Sequence, residues 1–309
     1  MIEAIGVDIG GTKVLSMRVD ASGSVLARDE RPAHAEDPVA SLEAMAASIA
    51  AVGTDGVAGI GIGSAGLIAS AEGVVRFSPN AAWREVAIGP WIGERFGLPW
   101  SVDNDATAAA FGESRFGAGA GTRHLLFVIV GTGIGGGIVV DGTPFRGANG
   151  FAGEIGHVIV EPGGARCGCG NRGCLETVAS GTAIGRLGRE AAAADPTSAL
   201  ARGGVDAVDA RRVVALAREG DDAALGVLAE AGRRLGEGIG GYVNVLDPEI
   251  VIVGGGAAAG AGDLLLDPAR IACRAAIEAP DHRPEVPILA ATLGNDAGAI
   301  GAAAVFLPA

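Results

Sequence analysis

Two stretches of this 309-residue chain share one pattern. Residues 4–20 read AIGVDIGGTKVLSMRVD, and residues 125–141 read LLFVIVGTGIGGGIVVD. Each is an apolar run, a Gly/Thr-rich loop, a second apolar run and a turn, with ASGS closing the first and GTPF the second. In the first, Leu15, Met17 and Val19 alternate with Ser16 and Arg18, the two-residue period of a strand and not the 3.6 of a helix. Each glycine loop is therefore expected to join two strands as a β-hairpin turn. One such unit in each half of a chain this long points to two α/β domains.

The hairpin reading disposes of three look-alikes. Gly131-x-Gly133-x-x-Gly136 and Gly61-x-Gly63-x-x-Gly66 fit the dinucleotide fingerprint in spacing. That fingerprint requires a helix directly after the loop, because the helix N-terminus holds the pyrophosphate. IVVDG follows Gly137, and LIASAEGVVRF follows Gly66; both read as strand and turn. Gly254-Gly255-Gly256 fits neither template, and no Gly-Lys-Ser/Thr phosphate loop occurs. The hairpin loops themselves, Gly10-Gly11-Thr12-Lys13 and Gly131-Thr132-Gly133, suit phosphate: backbone N–H groups without a Cβ in the way approach its oxygens closely. The hydroxyls of Thr12 and Thr132 add donors, and Asp8 is placed to hold Mg²⁺ through water. A single loop of this kind is adequately explained as a tight turn; a matched pair favours phosphate.

The charge excludes one class of partner. Net charge is −13 and Lys13 is the only lysine, so nucleic acid meets no general attraction and no basic patch. The N-terminal MIEAIGVDIGG has acids where a signal peptide needs basic residues. The longest uncharged apolar run, LLFVIVGTGIGGGIVV, is too short and glycine-broken to span a bilayer. A soluble, cytoplasmic protein without membrane partners is expected. With 4% aromatics among 49% hydrophobic residues, its core must be Ala, Val, Ile and Leu.

Residues 98–117, LPWSVDNDATAAAFGESRFG, read as a strand through Val102 and a helix over roughly 106–115. Asn104 and Asp105 stand at the junction, where α/β folds place ligands. Either residue there is also a good helix cap, and the local sequence does not choose.

The motifs DIGGTK (8–13), DNDATAAAFGE (103–113), VGTGIGGG (130–137), RGANGFAGEIGH (146–157), CGCGNRGCLE (167–176) and DPEIVIVGGG (247–256) together resemble the ROK family of sugar kinases, within the actin-like ATPase superfamily. The resemblance runs over essentially the whole chain and is closest to the family's bacterial glucokinases. Two departures are Thr107, where the family more often has Asn, and GIGSAG (61–66), where many members carry proline before the last glycine. The resemblance implies an α/β, ribonuclease H-like fold of two domains with a cleft between them: 1–117 plus a C-terminal helix at about 293–309, and 118–292 with a helical region near 181–245. It implies ATP-dependent phosphorylation of a hexose 6-hydroxyl, most often glucose. Other acceptors are mannose, fructose, N-acetylglucosamine or N-acetylmannosamine, and polyphosphate is another donor. It makes Asp105 the general base and Asn104, Glu154, His157 and Glu176 sugar ligands, puts Gly254, Gly255 and Gly256 near the adenosine, and suggests a homodimer or homotetramer.

With that resemblance, His157, Cys167, Cys169 and Cys174 read as a structural zinc site. A Cys₃His set suits tetrahedral zinc and leaves no open position. The Cys-x-x-Cys of a thioredoxin-type site is absent, and disulfides are rare in the cytoplasm. The second ring nitrogen of His157 is then expected to be free for a sugar hydroxyl. Cys273, in an Ala-rich stretch, is expected to pack as a small hydrophobe. The rivals are a sugar-sensing ROK repressor, disfavoured because the DIGGT loop begins at residue 8 and leaves no room for a preceding DNA-binding domain, and a non-catalytic sugar-binding module, disfavoured by Asp105 and both hairpins.

Overall fold

The computed structural model describes residues 2–78 and 81–308. In chain order its elements are β1 (Glu3–Ile9), β2 (Lys13–Asp20), β3 (Val25–Pro32), α1 (Pro38–Ala51), β4 (Ile60–Ser64), β5 (Leu67–Ala69), β6 (Val74–Phe77), β7 (Arg84–Val86), α2 (Ile88–Phe96), β8 (Trp100–Asn104) and α3 (Asp105–Phe116). They continue as β9 (Leu125–Val130), β10 (Ile134–Val140), β11 (Thr143–Pro144), α4 (Leu175–Ala179), α5 (Gly181–Ala194), α6 (Ala210–Arg218), α7 (Asp222–Leu246), β12 (Ile250–Gly254), α8 (Gly256–Ala261), α9 (Asp263–Ala276), β13 (Ile288–Ala290) and α10 (Ala297–Ala304). Two compact units result: residues 1–127, 137–153 and 292–309 form the first, and residues 128–136 and 154–291 the second.

In the first unit β1 and β2 pair antiparallel from Glu3↔Asp20 to Ile9↔Val14, and Gly10 N–H donates to the Lys13 carbonyl at 3.0 Å. The first glycine loop is thus a hairpin turn. The sheet runs β3-β2-β1-β4-β8, with β4 parallel to both β1 and β8. Ile5, Val7, Ile60, Ile62 and Val102 meet Met45 and Ile49 of α1 in one apolar layer. Ala4, Leu15, Met17 and Val19 meet Ala299, Ile300 and Ala303 of α10 in another, as strand alternation demands. The glycines explain how closely α10 seats: a Cβ on Gly6 would lie 1.7 Å from the Ala299 carbonyl oxygen, and one on Gly61 1.9 Å from that of Ala302. Backbone meets backbone there, so no side chain fits.

The second five-stranded sheet has the order β11-β10-β9-β12-β13. GTPF is not wholly a turn. Asp141 and Gly142 take φ values of +52° and +74° and form the Asp-Gly two-residue loop favoured in hairpins, so Thr143 and Pro144 already pair with Val140 and Val139. The chain also does not divide at a single point near 117. Residues 137–153 join the first unit because Gly137 packs on α3, where a Cβ would be 2.5 Å from that of Ala110, and because Arg146 is paired with Asp103. In the second unit, α5, α6 and α7 occupy the helical region, and α7 lies along α9. Cys273 on α9 is buried. Among the described residues no helix is long and apolar enough to cross a membrane.

Candidate active site and metal centre

Strand β8 delivers Asn104 and Asp105 to the start of α3, which begins at Asp105. Asn104 is the cap: its Oδ1 accepts from the N–H groups of Ala106 (2.9 Å) and Thr107 (3.2 Å). Its Nδ2 donates to the Gly66 carbonyl at 3.1 Å, which leaves one amide N–H for a ligand. Cap and ligand are therefore compatible roles, because they use different atoms. Asp105 Oδ1 accepts from Ala106 N–H at 2.9 Å. Protein atoms crowd this carboxyl, and burial raises its pKa above the ordinary carboxylate value.

Asp8, near the end of β1, is a second crowded acid of the first unit. Burial, then the negative charge of Asp105, raise its pKa to about 7, while Lys13 pulls it down. Gly298, early in α10, leaves room for it; a Cβ there would be 3.1 Å from Asp8 Cγ. Two crowded carboxyls that oppose each other's ionisation are a donor set short of positive charge, which fits a hydrated Mg²⁺. Lys13 Nζ lies 3.3 Å from Glu30 Oε2, so its charge is shared with the sheet surface.

Without a cation, Asp8 retains a proton that an unfolded chain releases near pH 4. Its contribution to stability is complete below about pH 4 and is lost as pH rises through about 7. Moving a carboxyl from 3.8 to about 7 corresponds to roughly 4 kcal/mol at most. Asp8→Asn should accordingly raise the ligand-free melting temperature at pH 8, with the gain vanishing toward pH 4. Thermal denaturation at the two pH values tests this, and no gain at pH 8 would contradict it.

In the second unit, Gly131 N–H donates to the Gly133 carbonyl at 3.0 Å, closing the second glycine hairpin. The opening of α5 clamps it: Gly181 N–H donates to the Gly131 carbonyl (2.8 Å), and Thr182 N–H and Oγ1 donate to that of Thr132 (3.2 and 2.8 Å). These first-turn donors of α5 are therefore spent on the hairpin and not left for an anion. Gly255, at φ +91°, comes so near Val130 that a Cβ would sit 2.5 Å from its carbonyl oxygen. The Gly254–Gly256 turn between β12 and α8 thus lies beside the hairpin, a strand-to-helix turn as the sequence suggests.

His157, Cys167, Cys169 and Cys174 bring one ligand atom each to within 4.8 Å of one another. Cys169 Sγ is 3.7 Å from Cys174 Sγ, and Cys167 Sγ is 3.6 Å from His157 Nδ1. A tetrahedron with Zn–S bonds of about 2.3 Å places its ligand atoms roughly 3.8 Å apart, so the set matches zinc in type and spacing. Burial pushes the Cys167 thiol up to about 12 and raises that of Cys174, whereas hydrogen bonding from Asn171 lowers that of Cys169. Three thiolates need a cation here.

The remaining sequence candidates flank this cluster. His157 Nε2, expected to be free, lies 3.8 Å from Glu154 Oε2, because both belong to one tight turn over Glu154–His157. The Tyr242 hydroxyl fixes that turn by donating to the Ile155 carbonyl at 2.5 Å. Glu176 Oε1 is 3.6 Å from Cys167 Sγ, and its Oε2 accepts from Ile134 N–H at 3.0 Å. One carboxylate therefore touches both the cysteine cluster and the second glycine hairpin. Gly133 permits this, since a Cβ there would be 2.1 Å from Glu176 Oε2. Tyr242, the chain's one tyrosine, carries no motif that marks it for this role.

The ROK family pattern matches residues 4–308. A glucokinase of Streptomyces coelicolor is 40% identical over 306 residues, covering 97% of this chain and 96% of that protein. A ROK family glucokinase of Streptomyces griseus, solved in complex with glucose and AMPPNP, superposes with a TM-score of 0.85 at 39% identity over 98% of each chain. A ROK family transcriptional regulator, a homologue of the E. coli MLC protein, gives a TM-score of 0.88 at 30% identity, and the match covers 98% of this chain but 77% of the regulator. The fold is that of the actin-like ATPases, in two domains, and the chain belongs to the ROK family.

Proposed function

We propose that this chain is a glucokinase that transfers the γ-phosphate of ATP to the 6-hydroxyl of glucose. It is a sugar kinase of the ROK family; glucose and ATP are favoured because the similar Streptomyces enzymes are glucokinases, one of them solved with glucose and AMPPNP. The observation that carries the reading is Asp105, a crowded carboxyl of raised pKa at the start of α3. A sugar hydroxyl is a poor nucleophile, and a carboxylate within hydrogen-bond reach orients it and accepts its proton as the P–O bond forms. A raised pKa brings that acceptor closer to neutrality, where proton transfer is most favourable.

In the first unit, Asn104 offers the sugar its spare N–H, and the loop Gly10-Gly11-Thr12-Lys13 offers donors to phosphate. A Mg²⁺ arriving with ATP supplies positive charge at the transferring group, and Asp8 would hold it through water. In the second unit, Glu154, His157 and Glu176 take sugar hydroxyls, Gly131-Thr132-Gly133 phosphate, and Gly254–Gly256 the adenosine side. His157, Cys167, Cys169 and Cys174 hold a structural zinc. We read the enzyme as cytoplasmic and as a homodimer or homotetramer, both on family grounds.

A coupled assay tests the reaction, with glucose, mannose, fructose, N-acetylglucosamine and N-acetylmannosamine as acceptors and ATP or polyphosphate as donor. Glucose with ATP should give the highest kcat/KM. A tenfold advantage for another pair would reassign the substrate, and the absence of transfer to any sugar would favour a sensing role like that of the similar regulator.

A further inference from the structure

The residue just before the proposed catalytic pair is held by Arg146, which opens the RGANGFAGEIGH motif and to which the sequence assigns no role. Asp103 is buried, with 6% of its surface exposed, and it points to the opposite side of β8 from Asn104. Its carboxylate accepts from Arg146 Nε at 2.9 Å (Oδ1) and 3.0 Å (Oδ2), from Arg146 Nη2 at 2.6 Å (Oδ2), and from Ser70 Oγ at 3.1 Å (Oδ1). Arg146 is fixed in turn: its carbonyl accepts from Ala152 N–H at 3.2 Å. Its loop also packs on β5, where Gly150, at φ +88°, would place a Cβ 2.3 Å from the Ile68 carbonyl oxygen.

We propose that Arg146 is a positioning residue for phosphoryl transfer, setting the aim of Asn104 and Asp105 through its grip on Asp103. A planar guanidinium holding a carboxylate at two points fixes rotation as well as distance, which a single ammonium contact does not. Asp103 is the penultimate residue of β8 and directly precedes Asn104, so turning its plane turns the backbone from which Asn104 and Asp105 project. The β4 ladder holds the backbone of Asp103 and Asn104 opposite Gly63 and Ser64, whereas the Asn104 side chain has the Gly66 carbonyl and its own helix-cap bonds. Arg146 adds a charged, two-point hold on the side chain next to it. A displacement of about 1 Å at a reacting group costs about a hundredfold in rate. The inference rests on Asp105 acting as the base.

The test is steady-state kinetics with glucose and ATP, together with melting temperatures, for the parent, Arg146→Lys, Arg146→Met, the double variant Asp103→Asn/Arg146→Met, and Asp105→Asn. Arg146→Met should lower kcat by about a hundredfold with the KM for ATP nearly unchanged, and Arg146→Lys should recover part of kcat. Removing one partner of a buried pair destabilises through the stranded charge, so the double variant should regain melting temperature while kcat stays low. A folded Arg146→Met enzyme with kcat within about threefold of the parent would overturn the proposal, as would a double variant whose kcat returns with its melting temperature. Should Arg146→Met not fold, the double variant decides. Near-normal turnover in Asp105→Asn would remove the base and this inference together, whereas an inactive Asp105→Asn beside an unaffected Arg146→Met would reject the inference alone.

Discussion

Asp105→Asn should lower kcat by about 10²–10⁴-fold, the usual contribution of a positioned general base, with the protein as stable as the parent or more so. The substitution preserves shape and an acceptor oxygen, so the bond from Ala106 N–H to Oδ1 survives and α3 keeps its first turn. Asn104, which supplies the helix cap, is untouched. What is lost is the site for the proton. The crowding that raises the Asp105 pKa is a cost borne by the folded state when the carboxyl ionises, and the neutral amide removes it. The negative charge of Asp105 is also one of the two causes that raise Asp8, so the Asp8 carboxyl should ionise at lower pH in the variant. Loss of turnover with unchanged or increased stability separates a chemical role from a structural one. Steady-state kinetics beside thermal denaturation at pH 8 provide both readings, and near-normal kcat would remove Asp105 from the mechanism.

Local chemistry made much of this molecule legible in its sequence. Alternation after Gly10–Gly11, and the same strand-loop-strand pattern around Gly131–Gly133, identify hairpins and exclude a dinucleotide loop, because period and loop composition act within a dozen residues. Asn104 and Asp105 at a strand-to-helix junction, and four zinc-type ligands within 157–174, are equally local. The unread features are encounters between distant residues. Nothing near Asp103 announces Arg146, and nothing in the AAAFGE end of α3 reveals why Glu113 is fully buried. Its carboxylate accepts from Ala118, Thr292 and Leu293 N–H groups at 2.9, 2.9 and 2.7 Å, tying the end of α3 to the segment that leads into α10. Nothing in the sequence around Gly6 or Gly61 marks a contact with a helix more than 200 residues away; only the seating of α10 against them explains why no side chain is tolerated. The expectation that 118–292 forms one domain failed to anticipate residues 137–153 for the same reason, since their partners Ala110 and Asp103 lie far back in the chain.

Removing the metal from the cysteine cluster should affect glucose use as well as stability. The two consequences have one origin. Cys167 and Cys174 are buried, so without a cation their thiols are pushed upward and remain protonated, no longer drawn to one centre. Cys167 Sγ lies 3.6 Å from Glu176 Oε1 and from His157 Nδ1, so relaxation of this cysteine displaces both. Glu176 carries the disturbance to Ile134 N–H at the second glycine hairpin, and His157 carries it to Glu154. Cys169, the exposed ligand, is the place to test this, because its replacement by serine leaves no hole in the core. Purified protein should contain about one zinc per chain, and Cys169→Ser much less. Structural zinc is commonly worth well over 3 kcal/mol, and even about 3 kcal/mol lowers the melting temperature of a domain this size by roughly 6–12 °C. The KM for glucose should rise about tenfold or more, equivalent to disturbing one charged hydrogen bond, with a smaller change for ATP. Because the ligands must shed protons to bind, zinc retention against a chelator should weaken as pH falls. Zinc-free enzyme with unaltered glucose KM would separate the metal from the sugar residues, and fully active protein purified without zinc would overturn the site itself.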